Sequence, residues 1–270
     1  MIDFGALDRL PLAFSAALAA LLGVIWGSFA AALVLRWARG QGLGGRSMCD
    51  HCRQVLRVDD LVPLLSHLWR RGKSRCCGQV IDPFHSYVEA AGGAIGAAAL
   101  LMMGGAAGWV WALMGWLLMP LILLDARMQW LPDRLTIILA GAGLLLAGPL
   151  MGTDMTQRWV GALAAGFSLS CVRWAYYMLR AREGMGGGDP KLFAALGAWL
   201  GWQALPLALL LASVTGLIWA LLGTVLFGTV RAKRKGTQLG SSIMTQRVPF
   251  GVFLGVGGWL SAALFPQIFR

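Results

Sequence analysis

Residues 12–35 read LAFSAALAALLGVIWGSFAAALVL, a run with no charged side chain. A helix of about 20 apolar residues crosses a hydrocarbon layer about 30 Å thick, so this stretch is long enough to span a bilayer. Similar runs recur outward from it, and spans are expected at about 12–35, 88–104, 109–125, 134–152, 159–179, 191–203, 207–229 and 248–267. The chain is 58% hydrophobic and only 13% charged, against roughly 25% charged in soluble domains. Its mean hydropathy of +0.68 leaves too little polar surface for a water-soluble globule. The expected fold is an all-α membrane protein, a polytopic bundle of about eight transmembrane helices in the lipid bilayer, with a small cytoplasmic Cys-containing insert.

The formal charge of +11 is sorted by location. Nine basic residues fall between Arg36 and Arg75. Arg127 and Arg134 follow the third span, and Arg180, Arg182 and Lys191 follow the fifth. Arg231, Lys233, Arg234, Lys235 and Arg247 lie between the last two. These alternate loops hold most of the 23 basic residues, the bias that marks cytoplasmic loops. Arg9, Arg158 and Arg270 fall on the other side, and Arg173 falls within a span. The charge therefore encodes orientation, attracts anionic lipid, and gives no reason to expect nucleic acid as a partner. Both termini are expected to face away from the cytoplasm. The start, MIDFGALDRL, lacks the basic region and cleavage site of a secretory signal, so the first run is expected to be a retained anchor.

Three parts follow: an N-terminal anchor at 1–36, a cytoplasmic insert at 37–87 rich in Gly, Arg and Cys, and a transmembrane bundle at 88–270. Leu192 to Val230 is too long for one helix. GWQALP at 201–206 supplies a turn, since proline lacks the amide hydrogen that a continuing helix uses. Glycine is frequent, at 37 residues, and small residues let membrane helices approach closely. No internal repeat is found.

Ionisable groups at membrane spans are costly and mark function. Asp125 ends the apolar run WLLMPLILLD, and Asp189 opens the sixth span from the same side, after Gly186, Gly187 and Gly188. Two neighbouring carboxyls share one proton, because ionising both is expensive. The ionised member activates water and the protonated one polarises a scissile carbonyl. Gly184, Gly186 and Gly188 leave room for substrate backbone or shape the loop. Lys191 either steadies the ionised pair or snorkels to the interface. Asp133, just after Pro132, reads as a cap of the fourth span, Asp154 as solvated polarity, and Glu183 as a residue at the edge of the site.

GMGGGD at 184–189, with KL at 191–192 and LGAWLG at 196–201, resembles the GxGD signature of the type IV prepilin peptidase family. Asp125 with LPD at 131–133 resembles that family's other aspartate motif. GSF at 27–29 with Arg36, VPLLS at 62–66, Val88-Glu89 and VPFG at 248–251 follow in family order across nearly the whole chain. The resemblance implies a GxGD-type aspartyl protease with Asp125 and Asp189 as its catalytic pair and no metal in the proteolysis. The implied substrates are prepilins or pseudopilins, whose basic leader is cut after Gly at the cytoplasmic face of a bacterial inner membrane. Both termini would then be periplasmic.

Cys49-Asp50-His51-Cys52 has the spacing of half a zinc site. The resemblance implies a second CxxC pair, which here is broken: Ser74 stands where its first cysteine belongs, with Cys76 and Cys77 following. Cys49, Cys52, Cys76 and Cys77 are the candidate ligands for a structural zinc, with His51 a spare nitrogen. Cys171, within the fifth span, reads as a small core residue. Family members also N-methylate the new N-terminus from S-adenosylmethionine, an activity linked to the insert. This chain has Ala30-Ala31 where the family has Leu-Asn, and Phe84 where it has Arg, and no residue pattern marks a cofactor pocket. A proton-coupled transporter or channel using Asp125 and Asp189 is the main alternative, and a membrane thiol oxidoreductase is a third.

Overall fold

The computed structural model describes residues 5–42, 44–49, 51–60, 62–232 and 249–268. Asp50, Lys233, Arg234, Lys235, Arg247, Val248 and Arg270 lie outside the described residues. Eight longer helices run through the described ones: α1 (Leu12–Ala38), α2 (Phe84–Met103), α3 (Gly105–Met128), α4 (Asp133–Leu146), α5 (Met155–Arg180), α6 (Asp189–Leu200), α7 (Leu205–Ala232) and α8 (Phe250–Ile268). None of the described residues forms a strand; two isolated bridges, Met48–Val55 and Lys73–Val80, are the only β pairing among them.

By length and composition, α1, α2, α3 and residues Leu205–Leu222 of α7 can cross a membrane. The expectation of eight spans is met by this measure in four. α6 has 12 residues, about 18 Å at 1.5 Å per residue, and so stops well inside a layer about 30 Å thick. The turn expected at GWQALP is present: α6 ends at Leu200, Gly201 takes φ +71°, and α7 begins at Leu205. Leu21 and Ile25 on α1 and Phe167 and Trp174 on α5 remain exposed, as lipid-facing side chains do.

The chain divides into two compact units, Met1–Leu124 and Asp125–Arg270. In the first, α1 and α2 cross backbone to backbone. A Cβ at Gly27 would come 2.6 Å from the Val88 carbonyl, and one at Gly96 would collide with Ala19. Trp116 locks the crossing, donating to the Gly92 carbonyl at 3.0 Å, and its own carbonyl accepts from Trp26 at 2.7 Å. Ala30 and Ala31 are fully buried against Val88 and Met119, with Phe84 packed on the same cluster. Two departures from the family pattern, Ala30-Ala31 and Phe84, thus fill a single apolar patch.

The insert carries two turns of the same construction. In one, Cys49 N–H donates to Gln54 and Arg53, at φ +62°, donates back to Cys49; in the other, Ser74 donates to Gln79 and Gly78, at φ +69°, donates back to Ser74. The turns are offset by 25 residues, as Cys49 is from Ser74, and their sequences, CRQVL and CGQVI, correspond. This short internal repeat corrects the expectation that there is none; Ser74 in the place matching Cys49 hides it. Glu89, buried on α2, anchors the insert by accepting from Leu64 N–H at 2.9 Å.

In the second unit, α5 crosses α6 at Gly161 and Gly197, whose backbones touch so closely that a Cβ on either would strike the other helix. Trp199 donates to the Leu139 carbonyl at 2.8 Å, joining α6 to α4. Arg158, 9% exposed, has no carboxylate partner among the described residues; it donates to the carbonyls of Leu144, Thr153 and Asp154 at 2.5, 3.1 and 3.2 Å. Asp154 is a working cap, accepting from Gln157 N–H at 2.7 Å at the start of α5. Cys171 is exposed on α5, which corrects its reading as a core residue; on a lipid-facing helix an apolar thiol needs no burial in protein.

Candidate active site

Asp125 lies in the last turn of α3 and Asp189 opens α6; both are 5% exposed. Each carboxylate takes backbone donors rather than a basic partner. Val252 N–H donates to Asp125 Oδ2 at 3.0 Å, from the first turn of α8 after the VPFG motif. Gly186 N–H donates to Asp189 Oδ2 at 3.1 Å. Leu131, from LPD, fills the space around them: a Cβ at Gly188 would fall 2.7 Å from its Cβ, and one at Gly251 would fall 3.1 Å from its Cδ1 and 2.8 Å from Asp125 Oδ2. Four segments distant in sequence, around residues 125, 131, 188 and 251, thus meet around two carboxyls.

The charge of Asp125 reaches Asp189. Burial first, and then that charge, push Asp189 up to about 6, while the Gly186 amide and the Arg173 guanidinium pull the other way.

The glycines of GMGGGD each face a specific neighbour. Gly184 lies under the Tyr176 ring, Gly186 beside the Asp189 carboxylate, Gly187 against Arg173, and Gly188 against Leu131. The protein's own side chains occupy the room these glycines leave. Lys191 does not reach the carboxyl pair; its Nζ lies 2.7 Å from Asp133 Oδ1. Asp133 makes no side-chain cap on α4, which corrects its expected role. Its carboxylate finds an ammonium within reach, a stronger partner than a neutral amide. Glu183 pairs with Arg173 at 3.4 Å. Arg173 is the residue at this site that the sequence reading passed over, and its signal was a lone arginine within an apolar helical run.

The insert holds the second cluster. The thiols of Cys49, Cys52, Cys76 and Cys77 lie within 4.8 Å of one another, with Cys49 to Cys77 at 3.8 Å and Cys52 to Cys76 at 3.0 Å. Four thiolates about 2.3 Å from a tetrahedral zinc stand about 3.8 Å apart, so the set fits the ion with small adjustment. His51 does not join it. Ser74 holds the vacated thiol position, its hydroxyl 3.4 Å from Cys49 Sγ and 3.1 Å from Cys76 Sγ. The Cys49 thiol is drawn down to about 6, first by the Cys52 amide and then by Ser74, whereas the Cys76 thiol pushes Cys52 up to about 12.

Beside this cluster, a cavity of about 1190 Å³ opens between the end of α1, the insert and the start of α2. It is lined by Phe29, Arg36, Arg70, Asp60, His85 and Glu89, among others. Arginines, carboxylates and an aromatic ring in one cavity suit a ligand carrying both charges and a flat base.

A family model described as the type IV leader peptidase family matches residues 111–221, and one for the bacterial peptidase A24 N-terminal domain matches residues 21–103. A prepilin leader peptidase/N-methyltransferase of Dickeya chrysanthemi is 40% identical over 227 residues, 81% of this chain and 73% of its own. One from Klebsiella pneumoniae is 45% identical over 171 residues, 62% and 74% of the two chains. One from Aeromonas hydrophila is 36% identical over 221 residues, 80% and 70%. No solved structure matches the chain.

Proposed function

The chain belongs to the type IV leader peptidase family, and from that premise we propose that Asp125 and Asp189 are the catalytic pair of a membrane aspartyl endopeptidase that cuts the leader from prepilins or pseudopilins after Gly. One observation carries the reading: two carboxyls from separate helices, both buried, come together where Leu131 packs against both Gly188 and Gly251. Such a pair holds one proton between them. The ionised carboxyl takes a proton from water as its oxygen attacks the scissile carbonyl carbon; the protonated carboxyl gives its proton to the carbonyl oxygen. The tetrahedral diol collapses with cleavage of the C–N bond: the leaving amine takes the proton that the first carboxyl drew from water, and a diol hydroxyl returns a proton to the other carboxylate, restoring the pair. The Val252 and Gly186 amides orient the two carboxylates throughout.

The protein is a multi-pass protein of the bacterial inner membrane. The basic residues beside the pair, Arg127, Arg134, Arg180 and Arg182, support placing it at the cytoplasmic face, with both termini periplasmic. Residues 1–36 then serve as anchor, 37–87 as cytoplasmic insert and 88–270 as catalytic bundle. The four cysteines would hold a structural zinc in that insert.

The relatives' shared name also supports N-methylation of the new N-terminus. When bound, S-adenosylmethionine supplies a methyl group on a sulfonium centre. The cavity in the insert is where this chain would hold it: Arg36 would offer a charge to its carboxylate, Glu89 and Asp60 would offer charges to the sulfonium, and Phe29 would offer a ring to the base. A transporter or channel is not favoured, since the relatives are named as enzymes.

Leader cleavage by the purified protein in lipid tests the proposal. Asp125→Asn and Asp189→Asn are each expected to abolish it while leaving the protein folded; substantial cutting by either variant sinks the assignment.

A further inference from the structure

The loop that delivers Asp189 rests on one face of α5. Arg173 and Tyr176 stand one turn apart on that helix, and both press on the loop. A Cβ at Gly184 would come 2.5 Å from Tyr176 Cε1, and one at Gly187 would come 3.4 Å from Arg173 Nη1. Arg173 also reaches Glu183 at 3.4 Å, just before the loop's first glycine. Its guanidinium therefore lies along the outer side of the loop whose far end carries the carboxyl.

The groups that face Asp189 are few. Asp125 faces it from α3, the Gly186 N–H from its own loop, and Arg173 from α5. Lys191, on α6, is engaged with Asp133, and Glu183 is 71% exposed and turned to Arg173. Among the described residues, Arg173 is thus the one cation of the groups that act on the carboxyl.

We infer that Arg173 is a positioning residue for proteolysis: its guanidinium fixes the glycine loop against α5 and sets a positive charge behind the Asp189 carboxyl. The inference rests on the proteolytic reading above. A planar guanidinium suits both tasks, lying flat on bare glycine backbone while its fork reaches a carboxylate. Tyr176 completes the bed one turn further along. The substrate need not touch either side chain.

Full-length enzyme in lipid, with a prepilin substrate, gives the test through kcat/KM measured against pH. Arg173→Gln is expected to lower kcat about tenfold through misplacement of the carboxyl and to move the alkaline limb up by about half a pH unit. KM should stay within about twofold, since the side chain does not bind substrate. Arg173→Lys keeps the charge but loses the fork, so the limb should hold while kcat falls at least about threefold. A Gln variant whose pH profile overlays that of the parent overturns the inference. Where that variant does not fold, a Lys variant with the parent's kcat overturns it. Asp189→Asn, run alongside, separates the two levels: cutting by that variant would bring down the proteolytic reading itself.

Discussion

Lys191 and Asp133 meet at 2.7 Å, tying the first turn of α6 to the first turn of α4, although Lys191 stands only two residues past Asp189. Both side chains are more than half exposed, and pairs of that kind contribute at most about 1 kcal/mol. Lys191→Gln should therefore leave cleavage within about threefold of the parent. A double-mutant cycle with Asp133→Asn measures the coupling; a loss of a hundredfold would place the ammonium in the chemistry after all.

Gly251 is expected to be intolerant of any side chain. Its Cβ would fall 2.8 Å from Asp125 Oδ2 and 3.0 Å from the carboxyl carbon, so Gly251→Ala pushes the carboxylate off its Val252 amide. A displacement of about 1 Å costs up to roughly 100-fold in rate. Single-turnover cleavage reads the effect, and a thermal melt shows that the fold persists. Parent-like cleavage by a folded Ala variant would show that Asp125 need not be held where it is.

Proteolysis should carry an alkaline limb. Asp189 is raised to about 6, so its proton is held below that pH and lost above it. Once it is lost, two anions face each other and no carboxyl remains to protonate the scissile carbonyl. kcat/KM is expected to fall as pH rises through the upper apparent pKa of the pair, at or above about 6. Activity that climbs steadily through pH 9 would argue against a shared proton.

Metal removal should separate the two halves of the molecule. Chelation is expected to lower the thermal stability of the insert and release about one equivalent of zinc, while leader cleavage continues. Cys76→Ser should lose the metal, whereas Ser74→Ala should keep it, because the sulfur cluster comprises Cys49, Cys52, Cys76 and Cys77. Metal content by mass spectrometry distinguishes the variants. Retention by Cys76→Ser together with loss by Ser74→Ala would reverse the ligand assignment.

The fold was legible where solvent dictates it. The expected spans fall on the eight longer helices of the described residues, although four of these are long and apolar enough to cross a membrane, and Pro206 with Gly201 marked the break between α6 and α7. The two aspartates stood out because carboxyls at the ends of apolar runs are expensive. Less visible was anything set by a partner far along the chain. Asp133 read as a helix cap because a cap is local; that it meets Lys191, 58 positions away, is a product of folding. The glycines before Asp189 read as room for substrate or as shapers of the loop, and no local pattern reveals that Tyr176, Arg173 and Leu131 lean on them. The twin turns of the insert are hard to read from the cysteines, because Ser74 stands opposite Cys49, and their matching backbone hydrogen bonds make the likeness plain.

With Cys49 and Cys52 on one turn and Cys76 and Cys77 on the other, residues 53–75 form a ring pinched shut at its neck by sulfur. Trp69, 89% exposed, lies on the open arc. A protease nick there would leave the two turns riveted together for as long as an ion closes the neck and let them part once it is stripped, while the crossing of α1 and α2 still holds the fragments to one another. Limited digestion with and without chelator would thus turn the insert into a reporter of its own metal.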